Sequence, residues 1–176
     1  MLFRIRAPNL LYVGVPQSVG TSNARSNQAN DFLVEIGGEV RTEGRNEKGQ
    51  NWQIGIDKPT ENQTEARALQ TVVSLSGKSL ATSGSYRKFV VREGTKFSHA
   101  IDPKTGFPIT HNLLSISVIA DDCMTADAYA TAFLVLGLEK AKTMAAQQGL
   151  ELYAISATSK GELQLFHTPN FFSKAE

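Results

Sequence analysis

Two side chains with oxygen atoms, Asp127 and Thr131, stand four positions apart in the segment ADAYATAFLVLG (126–137). In a helix, that spacing places both side chains on one face. A carboxylate and a hydroxyl are ligands that a hard cation accepts, with water or phosphate oxygens completing its shell. The same pair also fits a structural role, in which Asp127 interacts with the helix dipole and Thr131 bonds back to a main-chain carbonyl. Both interpretations stay open on spacing alone.

A second candidate group lies in HAIDPKTGFP (99–108), which holds a histidine, a carboxylate, two prolines and a glycine. Proline and glycine at this density exclude a helix and predict a strand end that breaks into a shaped turn. The near-neutral pKa of a histidine makes His99 a candidate general base for a hydroxyl nucleophile. A histidine that is only hydrogen-bonded at a strand end is the alternative. His111 and His167 have no such setting, so we assign them no role.

The dipeptide Gly37–Gly38 directly follows a predicted strand at 32–36. Glycine tolerates positive φ and lets the backbone approach a ligand closely, so this pair is a candidate binding turn. A simple bend after a buried strand is the alternative interpretation.

Composition narrows the class of protein. The 176 residues, 41% hydrophobic and 20% charged, predict one globular domain with a real core. The net charge of +1 argues against a general nucleic-acid binder. The single cysteine, Cys123, excludes an internal disulfide and a cysteine-based zinc site. We find no run of 18 apolar residues and no convincing export signal near the start.

Alternating apolar and polar residues between turn signals predict mostly antiparallel strands. Strands are predicted at 32–36, 40–44, 52–56, 66–76, 79–91, 113–120, 152–157 and 163–167. The first three are expected to form a meander, and Gly77–Lys78 a hairpin-like turn, with a bulge or bend at 82–85. The last two are expected to form a hairpin.

The clearest helical pattern covers residues 124–147, with Thr125 as the expected N-cap and a break at Gly137. Residues 17–30 are polar and without periodicity, which predicts a loop or disorder. The fold class is therefore predicted as α+β, with a mostly antiparallel sheet and two consecutive helices late in the chain.

Four segments in this order resemble the ApbE family, over Asp31 to about Phe172. They are IGGEVRTEGRNEKGQNWQIGIDKP (36–59), SGSYRKF (83–89), HAIDPKTGFP (99–108) and ADAYATAFLVLG (126–137). The resemblance implies an ApbE-like, T-fold-type architecture. It also implies an FAD:protein FMN transferase, formerly called a thiamine-biosynthesis lipoprotein. Such enzymes use FAD and Mg²⁺ to move FMN onto a threonine or serine hydroxyl of a target protein, forming a phosphoester and releasing AMP.

The resemblance also implies roles for individual residues. Asp127 and Thr131 look like the metal ligands, His99 like the histidine of the catalytic region, and Ile101 like a contact of the flavin nucleotide. We assign Gly37–Gly38 to the same nucleotide site. Some relatives carry a second aspartate directly before the helix threonine, where this chain has Ala130.

Further expectations concern partners and extent. Acceptors in the family include subunits of sodium-pumping and electron-transfer complexes, and members are exported lipoproteins of the periplasm and inner membrane. The family's N-terminal half, with an Ala-Lys-Gly turn that helps to hold the metal, has no counterpart in residues 1–30. We therefore expect residues 31–176 to be the C-terminal portion of such an enzyme, behind an unmatched, disordered leader. A truncated chain without activity, a non-catalytic flavin-binding or partner-binding fragment, and a fragment that binds nothing are the alternatives.

Overall fold

A computed structural model describes residues 3–6, 30–60, 68–86, 89–92 and 95–173. The strands within these residues are β1 (Phe3–Arg6), β2 (Phe32–Ile36), β3 (Glu39–Glu43), β4 (Trp52–Asp57), β5 (Leu69–Leu75), β6 (Ser79–Gly84), β7 (Phe89–Arg92), β8 (Thr95–Ser98), β9 (Leu113–Ala120), β10 (Glu151–Ala157) and β11 (Leu163–His167). The helices are α1 (Cys123–Leu136) and α2 (Leu138–Gln148). The predicted fold class, an antiparallel α+β fold with two consecutive late helices, is confirmed.

Seven strands form one antiparallel sheet in the order β1-β2-β3-β6-β9-β10-β11. The two other pairs of strands, β4 with β5 and β7 with β8, are two-stranded ribbons. Successive side chains of a strand point to opposite faces, so each central strand contributes to two separate cores. In β6, for example, Leu80 and Ala81 are both buried but belong to different hydrophobic clusters.

One face of the sheet is covered by α1 and α2. Its hydrophobic cluster includes Ala81, Ile116, Val118, Ala126, Ala130, Phe133 and Leu152. The other face is covered by the β4–β5 ribbon, with a cluster that includes Val40, Ile54, Ile56, Val73, Leu80, Tyr153 and Ile155. Among the described residues, neither helix is long and apolar enough to cross a membrane.

The ribbon corrects two predictions of strand pairing. β4 does not continue a meander from β3, because it pairs with β5 in a separate sheet. The turn at Gly77–Lys78 therefore joins the ribbon to the main sheet and is not a hairpin. The physical reason is the ribbon's own apolar face, which is buried only when it lies across the main sheet. β6 also pairs with β9 without a register shift through Gly84, so the described ladder contains no bulge. The chain bends at Ser85, directly after β6, which agrees with the other interpretation of 82–85, a bend.

The predicted helix break at Gly137 is confirmed. Gly137 has a φ of 79°, and its N–H donates to the carbonyl of Phe133 as α1 ends. The predicted N-cap was wrong, because the cap of α1 is Asp122 and not Thr125. Asp122 Oδ1 accepts from the backbone N of Thr125 at 2.8 Å, and Oδ2 accepts from its hydroxyl at 2.8 Å. Thr125 thus completes the cap as a donor.

Asp122→Ala is expected to lower the free energy of unfolding by about 1 kcal/mol, the usual contribution of a helix N-cap. Hydrogen bonds from the backbone and side chain of Thr125 hold the pKa of Asp122 below its ordinary value of 3.8. A carboxylate with a lowered folded pKa stabilises above its unfolded pKa, and this stabilisation is lost as the pH falls through the folded value. Urea unfolding at neutral and acidic pH measures both effects. The control is Asp121→Ala, which removes only an exposed ion pair with Lys78. If it lowers the free energy of unfolding as much as Asp122→Ala does, the cap is not the cause of the loss.

Four residues of the predicted disordered leader are ordered as β1. Phe3–Arg6 pair with Leu33–Ile36 of β2 at the edge of the main sheet. The other leader residues up to 29 lie outside the described residues.

Candidate functional site

A cleft of about 1170 Å³ opens between the β2–β3 hairpin, the end of β6, α1 and the segment after β8. All six residues that the sequence nominated line this cleft, namely Gly37, Gly38, His99, Ile101, Asp127 and Thr131. Its volume exceeds the range of about 300–1,000 Å³ that is usual for small-molecule sites, so size alone does not exclude a ligand as large as a dinucleotide. The structure brings the nominated residues together, although they come from three separate parts of the chain.

The cleft exists because two neighbouring strands separate. β3 pairs with β6 only at Val40–Leu80 and Arg41–Ser79, whereas β6 pairs with β9 along its whole length. Beyond Leu80 the edge of β6 therefore has no partner strand among the described residues. Thr82, Ser83 and Gly84 instead line the cleft.

The β2–β3 hairpin reaches this gap through its two-glycine turn. Gly37 has a φ of 73° and Gly38 a φ of 111°. Residues other than glycine rarely adopt these backbone angles, so the turn conformation itself favours glycine at both positions. The glycine pair therefore has a structural function in the hairpin, and its location on the cleft wall also brings the backbone to any ligand bound there.

The helix α1 presents its polar pair to the cleft while its apolar residues face the sheet. Ala126, Ala130 and Phe133 are fully buried, and Asp127 and Thr131 are exposed on the cleft wall. The first turn of α1 contains no acidic residue, so Asp127 lies beyond the place where the helix dipole favours a carboxylate most. The hydroxyl oxygen of Thr131 lies 3.0 Å from that of Ser83. Thr131 therefore has a side-chain partner on another element, and both interpretations of the pair stay open.

A second carboxyl group, Glu39, lies on the same cleft. Burial raises its pKa above the ordinary 4.5, and the negative charges of Asp127 and Glu35 raise it further. Sequence analysis missed both Glu39 and Ser83. Glu39 follows the nominated glycine pair and Ser83 lies within a matched motif, but only the fold shows that they face Asp127 and Thr131.

The donor set fits a magnesium ion. Asp127 offers a carboxylate, Thr131 offers a hydroxyl oxygen, and Glu39 adds negative charge to the same wall. In the described part of the chain, no group of three or more His, Cys, Asp and Glu residues could hold a metal by itself. Magnesium in nucleotide enzymes is usually held by one or two carboxylates, with substrate phosphates and water supplying the rest. An open, partial shell of oxygen ligands matches that pattern.

Glu39→Gln is expected to raise the free energy of unfolding at pH 7. A carboxyl with a raised folded pKa stabilises the protein fully below its unfolded pKa, and this contribution is lost as the pH rises through the folded value. The amide removes the cost of a half-buried charge near Asp127, so the gain should vanish at about pH 4. Urea unfolding at both pH values measures it, with Glu47→Gln in the exposed turn before β4 as the control. A gain that is independent of pH would contradict this origin.

The segment that carries His99 and Ile101 is held by its own hydrogen bonds. Ile109 N donates to Ala100 O at 3.0 Å, and Asp102 N donates to Phe107 O at 2.9 Å. Ile101 and Pro108 form a β-bridge between these bonds. The predicted strand end and shaped turn are confirmed. His99 is exposed at the base of this turn, and the side chain of Ile101 is 47% exposed, giving the cleft a small apolar wall.

Comparisons with known proteins identify similar sequences. The family model of the ApbE family matches residues 20–154, a range that begins before the predicted boundary at Asp31. The FAD:protein FMN transferase of Haemophilus influenzae is 46% identical over 133 residues, which are 76% of this chain and 38% of the relative. The enzyme of the same name from Escherichia coli strain K12 is 42% identical over 143 residues, or 81% of this chain and 39% of the relative.

Solved structures show the same similarity in three dimensions. The flavin transferase ApbE from Vibrio cholerae superposes with a TM-score of 0.72 at 34% identity, covering 88% of this chain and 47% of that one. The apo flavinyl transferase ApbE of Pseudomonas stutzeri gives 0.73 at 31% identity, with 90% and 49% covered. The chain thus spans about two fifths of the length of its curated relatives and about half of these structures.

Proposed function

The chain belongs to the ApbE family, and from that premise we propose that it carries the catalytic cleft of an FAD:protein FMN transferase. The observation that supports this proposal is the convergence of His99, Ile101, Asp127 and Thr131 with the two-glycine turn on one cleft. The substrates are FAD and a protein with a reactive threonine or serine, such as a subunit of a sodium-pumping or electron-transfer complex.

Substrate binding uses the apolar and backbone surfaces of the cleft. The exposed side chain of Ile101 offers a contact for the flavin nucleotide. At Gly37–Gly38 the hairpin turn lies on the wall without side chains, so the nucleotide can approach the main chain closely. Neither group reacts; together they orient the pyrophosphate relative to α1.

Asp127 and Thr131 would hold Mg²⁺, with Glu39 adding negative charge to the same cleft. When bound, the cation would neutralise negative charge on the phosphate oxygens while the phosphorus–oxygen bond to AMP breaks. The carboxylate of Asp127 contributes charge to the ion and the hydroxyl of Thr131 a neutral oxygen. Their spacing of one helical turn places both side chains on the cleft side of α1.

His99 would accept the proton of the incoming hydroxyl at an imidazole nitrogen. The acceptor oxygen then forms a bond to the phosphorus of the FMN moiety, the bond from that phosphorus to the bridging oxygen breaks, and AMP leaves. The hydrogen-bonded turn that follows His99 fixes its position at the cleft wall. His99→Ala should therefore lower the rate of transfer more than it lowers the affinity for FAD.

The proposal is tested by incubating the chain with FAD, Mg²⁺ and an acceptor protein that a full-length relative flavinylates under the same conditions. We expect a fluorescent acceptor band in a denaturing gel, and no band when Mg²⁺ is replaced by a chelator. No band with this chain, beside a clear band with the relative, would overturn the proposed transfer activity.

A flavin-binding module without transfer is the second candidate, because within the described residues no group of three or more His, Cys, Asp and Glu residues could hold a metal ion by itself. Titration of flavin fluorescence with the chain, with and without Mg²⁺, distinguishes the candidates. Retained affinity for FAD without transfer favours the binding module, and transfer excludes it.

A further inference from the structure

We infer that Ser83 is a positioning residue of the cation site, with its hydroxyl orienting that of Thr131 so that a lone pair faces the cleft. The inference rests on the proposed function and extends it to a residue on another element. Ser83 lies on β6 and Thr131 on α1, and their hydroxyl oxygens are 3.0 Å apart. Both residues line the cleft beside Asp127.

The physical argument concerns the single hydrogen of the threonine hydroxyl. A hydroxyl has one hydrogen to donate and two lone pairs to offer. To serve as a ligand of a cation, Thr131 must point its hydrogen away from the ion. Ser83 Oγ lies within hydrogen-bond distance to receive that hydrogen, which leaves the lone pairs of Thr131 for a ligand in the cleft.

Three hydroxyl residues lie close together in this segment, Thr82, Ser83 and Ser85. The strand geometry explains why only Ser83, among these three, contacts Thr131. Alternation along β6 places Ser83 on the face of Ala81, which packs in the helix-side cluster. Thr82 points to the other face, where its hydroxyl lies 2.7 Å from that of Ser117. Ser85 donates to the carbonyl of Leu113 at 3.0 Å. Among these described hydroxyls, Ser83 is the one that contacts Thr131.

A supporting contact of a metal ligand is usually worth about 10–100-fold in metal affinity. We therefore expect Ser83→Ala to weaken the binding of Mn²⁺ by about 10–100-fold. Mn²⁺ is measured directly by electron paramagnetic resonance, in the presence of FAD and without any acceptor, so that the readout does not depend on transfer. Ser83→Thr keeps the hydroxyl and should restore affinity to within a few fold of the unmodified chain.

Ser85→Ala is the matched control, because it removes a hydroxyl from the same segment without touching Thr131. It should leave Mn²⁺ affinity unchanged. If Ser83→Ala fails to fold in a thermal melt, Ser83→Cys replaces it, since the thiol keeps the volume but is a weak hydrogen-bond acceptor.

The outcomes separate this inference from the proposed function. Equal Mn²⁺ affinity of the unmodified chain and the folded Ser83 variant would overturn the positioning role and leave the cation site standing. Failure of the unmodified chain to bind Mn²⁺ with FAD would overturn the cation site itself. Affinity lost in Ser83→Ala and regained in Ser83→Thr supports the inference, and loss in both overturns it.

Discussion

Asp127→Asn is expected to reduce the affinity for Mg²⁺ in the presence of FAD by roughly 100-fold or more, with a parallel loss of flavin transfer. Removing a residue that only supports a metal ligand already lowers metal affinity by about 10–100-fold. Asp127 is proposed as a ligand itself, and as the only charged one on α1, so its loss should weaken binding at least as much. The amide keeps the shape of the side chain but removes the negative charge that holds the ion. Calorimetric titration of Mg²⁺ and the gel assay for transfer measure the two losses.

The same substitution should leave the fold nearly unchanged. Asp127 is exposed on the cleft wall, outside the first turn of α1 and outside the buried clusters. Surface substitutions of this kind usually change stability by less than about 0.5 kcal/mol. Asp121→Asn is the matched control, because Asp121 is an exposed carboxylate just before α1 that pairs with Lys78. If Asp127→Asn unfolds the chain while Mg²⁺ affinity per folded molecule is unchanged, Asp127 is structural.

Phe133→Ala is expected to lower the free energy of unfolding by about 3–5 kcal/mol, the usual cost of deleting a buried aromatic ring. Phe133 is completely buried in the helix-side cluster, and its ring centroid lies 5.4 Å from that of Tyr129. Alanine would leave a cavity between α1 and the sheet, because the surrounding residues can fill only part of the space that the ring occupied. Urea or guanidinium unfolding followed by circular dichroism gives the loss.

The control for this prediction is another phenylalanine. Phe107 is 71% exposed at the turn beyond His99, so Phe107→Ala should change stability by less than about 0.5 kcal/mol. If both variants lose the same free energy of unfolding, packing in the helix-side cluster is not what stabilises α1. Since α1 also carries Asp127 and Thr131, the Phe133 variant should bind Mg²⁺ more weakly even where it remains folded.

The arrangement of the cleft follows from two simple features of the sheet. The separation of β3 from β6 beyond Leu80 creates the opening, and the packing of α1 against β6 and β9 places Asp127 at its wall. The residues that anchor α1 and the residues that face the ligand alternate along one helix. Stability and binding can therefore be separated by substitution at neighbouring positions.

The amino-acid sequence by itself determined the local elements, because the signals for them are local. The alternation at 113–120 predicts β9, Gly137 predicts the break between the helices, and the prolines and glycine of 99–108 predict the turn that the hydrogen bonds confirm. Four ordered motifs indicated the family, and the family model confirms it. The nominated roles of His99 and of the metal pair remain predictions.

Only the tertiary structure decided how these elements meet. The sequence around β4 shows a strand but not its partner, since burial of the ribbon's apolar face depends on the opposite surface of a sheet formed by distant segments. Asp122 and Thr125 are both residue types that cap helices well. The backbone is extended at Asp122 and helical from Cys123 onward, so Asp122 occupies the cap position. The contact between Ser83 and Thr131 joins positions 48 residues apart. Periodicity reports the face on which a residue lies, but long-range packing determines what that face touches.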